Sequence, residues 1–155
     1  YTLSEITPEL YAGYDYALPR GQNIGNEGGF KKEQVLNYIL PNEIKDNTIY
    51  LEGDWLSNSD NLEFVGEEGS IILKFNAKSV NIVADSEDKQ NIEIFINDIY
   101  LKNEQAGSDV EFKDGKAIIE IDMPQLYNVF NSQYGNYKLK LKVHNGFTLN
   151  SFTFG

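Results

Sequence analysis

Hydrophobic and polar residues alternate with period 2 through most of the chain after residue 48. Ile71, Leu73 and Phe75 interleave with Ile72 and Lys74, and Val80, Ile82 and Ala84 follow after a short connection. Ile92, Ile94 and Ile96 alternate with Glu93 and Phe95. Ala117, Ile119 and Ile121 face opposite to Ile118 and Glu120. The cleanest run sets Tyr137, Leu139, Leu141 and Val143 against Lys138, Lys140 and Lys142. Alternation of this kind puts one set in a core and the other toward water, which predicts β-strands. Ile71, Leu73, Phe75, Ile82, Ile94, Ile119, Leu139 and Leu141 are the predicted core.

The connections agree. Asp114-Gly115 and Asn145-Gly146 are two-residue hairpin signals, because both central positions of a type I′ turn take positive φ. Strands recurring at short intervals with turns between them predict a sandwich or barrel. Parallel α/β folds need crossover helices, for which there is no room. The pattern therefore predicts an all-β fold, a two-sheet antiparallel sandwich of jelly-roll type. Phe147 and Leu149 share one face while Phe152 and Phe154 fall on the other, so a bulge is predicted near Asn150. Two segments stay ambiguous. Val35, Leu36, Ile39 and Leu40 fit a helix or a strand. Asp122–Phe130 (DMPQLYNVF) fits a short helix capped by Asp122 with Pro124 in its first turn.

Residues 1–46 read differently. Pro8, Pro19 and Pro41 interrupt regular structure, and Gly21, Gly25, Gly28 and Gly29 punctuate a polar stretch. GNEGG (25–29) lacks the Lys-Ser/Thr of a phosphate-binding loop and reads as a flexible loop. Residues 1–18 nevertheless carry Leu3, Ile6, Leu10, Tyr11, Tyr14 and Tyr16, too much apolar surface for a free linker. They are expected to pack on the strands as an irregular strap. One module over 1–155 is expected, with 47–155 supplying the main strands. The chain opens at Tyr1 rather than Met and is read as a piece of a longer protein.

Composition narrows the chemistry. The 155 residues suffice for a core without cross-links. They include no Cys, which removes disulfides, thiol catalysis, Cys-based zinc and iron–sulfur clusters. The single His, His144, leaves little for zinc or Ser-His catalysis. With 13 basic and 24 acidic residues the formal net charge is −11, so nucleic acid and acidic membranes are repelled. Glu67-Glu68, Asp85-Glu87-Asp88 and Asp109 sit beside turns, where solvated carboxylates are ordinary. No catalytic or metal site is assigned to them, and structural calcium in the Asp85–Asp88 loop is not favoured.

Aromatics beside amides and carboxylates are the remaining candidates. A sugar's apolar C–H face packs on an indole or phenol ring. Trp55 with Asp54 at a strand end, Tyr127 with Asn128 in the DMPQLYNVF segment, and Tyr11 with Tyr14 in the strap have the right chemistry. For Trp55 a place in the core is the competing reading.

Six strings occur in order: ITPELYAGYDYA, IYLEGDW, ILKFNAKSVNIV, GSDVEF, PQLYNVF and the terminal SFTFG. Together they resemble the C-terminal module of DipZ-type thiol-disulfide interchange proteins, over nearly the whole chain. That resemblance implies a galactose-binding-like jelly roll related to carbohydrate-binding modules, following a TlpA-like thioredoxin domain of a membrane-anchored parent. It implies a non-catalytic accessory role outside the cytoplasm. The implied partners are a neutral glycan or the adjacent thioredoxin-like domain, and no cofactor is implied. Two positions depart from the family pattern: Tyr16 and Gln125 stand where arginines are usual.

Overall fold

The computed structural model describes residues 5–155. Its elements run β1 (Leu10–Tyr11), α1 (Tyr14–Ala17), β2 (Val35–Tyr38), β3 (Tyr50–Ser57), β4 (Leu62–Phe64), β5 (Glu68–Ser86), β6 (Gln90–Ile96), β7 (Ile99–Tyr100), β8 (Glu111–Lys113), β9 (Lys116–Ile121), β10 (Gln125–His144) and β11 (Phe147–Phe154), with short 3₁₀ turns at Leu18–Arg20 and Asn103–Gln105. The strand pairing is antiparallel throughout. The fold is nearly all β and sandwich-like.

Two long strands organise it. β5 and β10 pair from Gln125↔Ala84 to His144↔Glu68, with register shifts between Asn128 and Phe130 and between Asn131 and Gly135. The pair forms a long hairpin whose connection holds β6 to β9, and one half of it (68–76 with 135–144) is flanked by β3 on one side and by β6, β9 and β8 on the other. The other half (77–86 with 125–131) is flanked by β11, which also carries β4 and β1. Bulges bend a strand locally, which lets one ladder serve both halves. At the bend Phe75 packs on Phe130, Tyr137 and Phe154, with ring centroids 5.3, 5.7 and 5.9 Å away.

All eight predicted core residues are buried, from Ile71 through Leu141. The bulge at Asn150 is present: Leu149 pairs with Ala84 and Ser151 with Val83, so one residue of β11 is unopposed. Asp114 and Gly115 both have positive φ, as a type I′ turn requires. At Asn145-Gly146 only Gly146 does, so that hairpin closes by a different turn. A second positive-φ pair, Asn97 and Asp98, joins β6 to β7.

Three sequence expectations change. The connection expected after Phe75 does not exist, because β5 runs straight through. The helical reading of the ambiguous Asp122–Phe130 segment gives way to a turn and the start of β10 at Gln125: Tyr127 and Val129 point into the core while Leu126 and Asn128 point out. The hydrogen bonds that β5 offers this segment override its Asp cap and proline. The segment holding Val35 and Leu36 is a strand paired with β3, so residues 5–46 are not wholly irregular.

The strap packs in part, with Leu10 and Tyr14 buried, Tyr11 half-buried and Tyr16 half exposed. Leu10, Ala12 and Ala17 are buried, and the Ala12 N–H donates to Asn150 O at 2.9 Å. Ile6 is half exposed, and Leu3 lies outside the described residues. The GNEGG loop is pinned rather than loose. Asn23 Oδ1 accepts the N–H groups of Ile24 and Phe30 at 2.8 and 2.9 Å. Buried Asn26 donates to Ile39 O and Leu51 O and accepts the Leu51 N–H.

Candidate functional site

The candidate residues proposed from sequence fall in three separate places. Trp55 is fully buried in the core, beside Leu36 of the adjacent strand β2 and 5.1 Å from the Phe64 ring. Its indole N–H donates to Glu52 O at 2.9 Å. Asp54 points outward and accepts the Asn37 amide at 2.8 Å. Tyr127 is also core. Its hydroxyl donates to Met123 O at 2.7 Å and closes the turn between β9 and β10. Neither ring offers a face to a ligand in this structure, because each fills the interior at a strand that the sandwich covers. This corrects the expectation of stacking at these two positions.

Asn128 is half-buried in an amide network with Asn81 (2.9 Å) and Asn131 (2.8 Å). Its backbone N–H donates to Asp109 Oδ2 at 2.7 Å. Tyr11 is half-buried and stacks on exposed Tyr16 at 6.0 Å, with the Arg20 guanidinium 4.4 Å over its ring. Tyr14 is nearly buried and donates its hydroxyl to Glu33 Oε1 at 2.7 Å. That hydrogen bond, with some desolvation and the carboxylate's charge, pushes the phenol up to about 12.

The surface with the most convergent chemistry is elsewhere, on the outer face of the sheet formed by β3, β5, β10, β6 and β9. Strand register sets Glu52, Ser70, Lys142, Glu93, Ile118 and Glu111 side by side in one row across six strands. The neighbouring row runs Tyr50, Ile72, Lys140, Phe95 and Tyr100. Cross-strand partners share a face, so these side chains project together. Phe95 and Tyr100 stack with centroids 4.4 Å apart and an interplanar angle of 26°, both half-buried.

Charges of both signs surround this pair. Lys142 Nζ lies 2.9 Å from Glu68 Oε1, Lys140 Nζ 4.0 Å from Glu52 Oε1, and Lys116 Nζ 4.0 Å from Glu93 Oε1. The Lys140 ammonium is 5.9 Å from the Phe95 centroid. The Tyr100 hydroxyl donates to Glu93, and this bond raises the phenol's pKa. The hydrogen bond between Glu68 and Lys142 lowers the carboxyl and raises the ammonium. A cleft of about 270 Å³ is lined by Glu52, Glu68, Ser70, Phe95, Lys140 and Lys142 among others. An aromatic wall beside paired donors and acceptors can stack one face of a polar ring and hydrogen-bond its rim.

Alternation marks Lys140 and Lys142 as outward-facing, and the same parity puts Glu93 and Phe95 outward. Sequence does not show that β10 lies beside β6. Nor does it show that the Asn97-Asp98 turn folds Tyr100 back onto Phe95. Among the described residues no group of three or more His, Asp or Glu side chains converges as a metal site. No helix among them is long and apolar enough to cross a membrane.

A family model described as the thioredoxin like C-terminal domain covers residues 7–155. No curated protein matches the chain. The match takes in every strand from β1 to β11 and both rows of the charged face, and the chain belongs to the thioredoxin-like C-terminal domain family.

Proposed function

We propose that this chain is a non-catalytic accessory module of a DipZ-like thiol-disulfide interchange protein, acting outside the cytoplasm and binding a neutral glycan. Family membership supports the association with a thioredoxin-type protein. Thiolate is the nucleophile of disulfide exchange, and a chain without cysteine has none to offer. Redox chemistry therefore belongs to a partner domain, and this module holds that domain near its target.

One observation carries the glycan reading: the stacked Phe95–Tyr100 pair flanked by the Lys140, Lys142, Glu52 and Glu93 side chains. Ring stacking supplies the apolar contact and the charged pairs supply donors and acceptors for hydroxyls. Binding is expected in the micromolar to millimolar range, roughly −8 to −4 kcal/mol. Salt should barely change it, because a neutral sugar releases no counterions. The test is titration with neutral oligosaccharides while the resonances of Phe95, Tyr100 and the Lys side chains are followed. Phe95→Ala should abolish the shifts. Shifts that persist in Phe95→Ala, or no shift at millimolar sugar, would overturn the reading.

A second reading is favoured by the strap. Tyr11, Tyr16 and Arg20 form an exposed stacked cluster, with half-exposed Ile6 and partly exposed Leu18 nearby in sequence. Such a patch fits packing against a thioredoxin-like domain of the same protein, with no sugar bound. In the intact parent, Tyr16→Ala would then loosen the two domains while leaving glycan titrations unchanged.

A further inference from the structure

We infer that the ligand is an extended, unbranched chain of sugar rings lying across the strands, rather than a single sugar or a chain end. This rests on the glycan reading of the charged face and adds its length and direction.

The row from Glu52 to Glu111 does not stop at the Phe95–Tyr100 stack. Beyond the Lys142↔Glu93 pair lies a second cleft of about 280 Å³, lined by Asn91, Glu93, Lys116, Ile118 and His144 among others. The two clefts abut at that pair, since Lys142 lines one and Glu93 the other. The floor is flush in both. Ser70 is 6% exposed beneath the first cleft and Ile118 5% exposed beneath the second. Ile118 closes the bottom of the second cleft from beneath, so the half-buried Phe95 of the first cleft supplies the stacking contact and the second cleft supplies polar contacts.

The polar groups recur over the same face, in the two rows and at Glu68 and Lys116 beside them. Lys140–Glu52, Lys142–Glu68 and Lys116–Glu93 each join a donor to an acceptor. Each pair can both give and take a hydrogen bond from a hydroxyl, and none presents net charge. This suits a repeating neutral polymer. A polyanion would meet the field of a chain with net charge −11. Adjacent strands are about 4.8 Å apart, close to the length of one pyranose ring in an extended chain. Five such steps from β3 to β8 give a track roughly 24 Å long, enough for several rings.

The test uses the intact chain and ladders of neutral linear oligosaccharides, cello-, chito- and manno-, from disaccharide to hexasaccharide. Affinity in the ladder that binds should rise with length by roughly tenfold and then level off, each tenfold being about 1.4 kcal/mol. Asn91 and His144 resonances should move only with the longer members. The double variant Asn91→Ala, His144→Ala, at two positions that line only the second cleft, should lose the gain from length and keep the disaccharide affinity. If sugars shift Phe95 and Tyr100 with an affinity independent of length, the extended track is wrong and the glycan reading stands. If no ladder binds at any length, both fall.

Discussion

The segment from Gly21 to Gln34 and the long hairpin of β5 and β10 satisfy their backbones by opposite means. In the hairpin, each strand's N–H and C=O groups meet those of the other from Gln125↔Ala84 to His144↔Glu68. In the glycine-rich segment, side-chain amides do much of what a neighbouring strand would do. Asn26 imitates a strand residue: it donates to Leu51 O at 2.8 Å and accepts the Leu51 N–H at 2.8 Å. Gln22 accepts the Tyr11 N–H and donates to Glu9 O, joining the strap to the loop. Buried backbone polar groups must be paired one way or the other. The difference lies in redundancy. Removing a side chain from the hairpin leaves its ladder intact, whereas removing Asn26 unpairs three groups at once. The hairpin should therefore be sensitive to apolar truncation, and the segment to loss of particular amides.

The largest expected effect is in the hairpin core. Phe75 is fully buried and touches three other rings. Phe75→Ala should cost about 3–5 kcal/mol in urea unfolding, from lost transfer energy and the cavity left behind. Lys140→Ala, on the outer face of the same hairpin, should change stability by about 0.5 kcal/mol or less. Equal costs at the two positions would contradict the two-faced reading of β5 and β10.

Next comes the amide stitch. Asn26→Ala strands Leu51 N–H, Leu51 O and Ile39 O in an almost closed site, since Asn26 is 4% exposed. The expected loss is roughly 2–3 kcal/mol, set by the cost of unpaired buried groups. Asn37→Ala is the control, because exposed Asn37 makes only an outward contact to Asp54. Its cost should be near zero. If the two asparagines cost the same, the segment is not held by its amides.

The same contrast explains what could be read from sequence. The core of the hairpin was legible because period 2 is a property of neighbours in the chain: Leu139 and Leu141 are buried for the reason their spacing suggests. Even the bulge at Asn150 follows from the phase change between Leu149 and Phe152. The glycine-rich segment was not legible, because Asn26 finds Leu51 across 25 residues and no local pattern announces it. Trp55 and Tyr127 show a similar limit. An aromatic at a strand end suits a binding platform or a core, and only the packing of the Trp55 ring on Phe64 inside the core decides. The charged face needed the strand order. Lys142, Glu93 and Ser70 are far apart in sequence and meet only because β10 lies between β5 and β6.

The smallest effect is a matter of pH, and its sign differs between the tie that Glu33 of the glycine-rich segment makes to Tyr14 and the tie that Lys142 of the hairpin makes to Glu68. Tyr14 belongs to the strap, and its hydrogen bond to Glu33 raises its folded-state pKa to about 12 from an ordinary 10.0. A raised folded pKa means that the bond's contribution is whole below pH 10.0 and is lost as pH climbs toward about 12. Glu68, on the hairpin face, is shifted the other way by its hydrogen bond to Lys142. Its contribution is whole above its ordinary value of 4.5 and is lost as pH falls through the lowered folded value. Tyr14 stands to lose a single hydrogen bond and Glu68 is exposed, so the change in stability should be slight and the titrations themselves are the sharper measurement. Phenolate absorbance should show one tyrosine ionising near pH 12 that vanishes in Tyr14→Phe and moves back toward 10 in Glu33→Gln. The carboxyl resonance of Glu68 should titrate below 4.5 and return to it in Lys142→Ala. A Tyr14 that titrates at its ordinary value in the wild type would mean that Glu33 does not hold it in solution. The strap would then lack one of the polar ties that distinguish it from the hairpin.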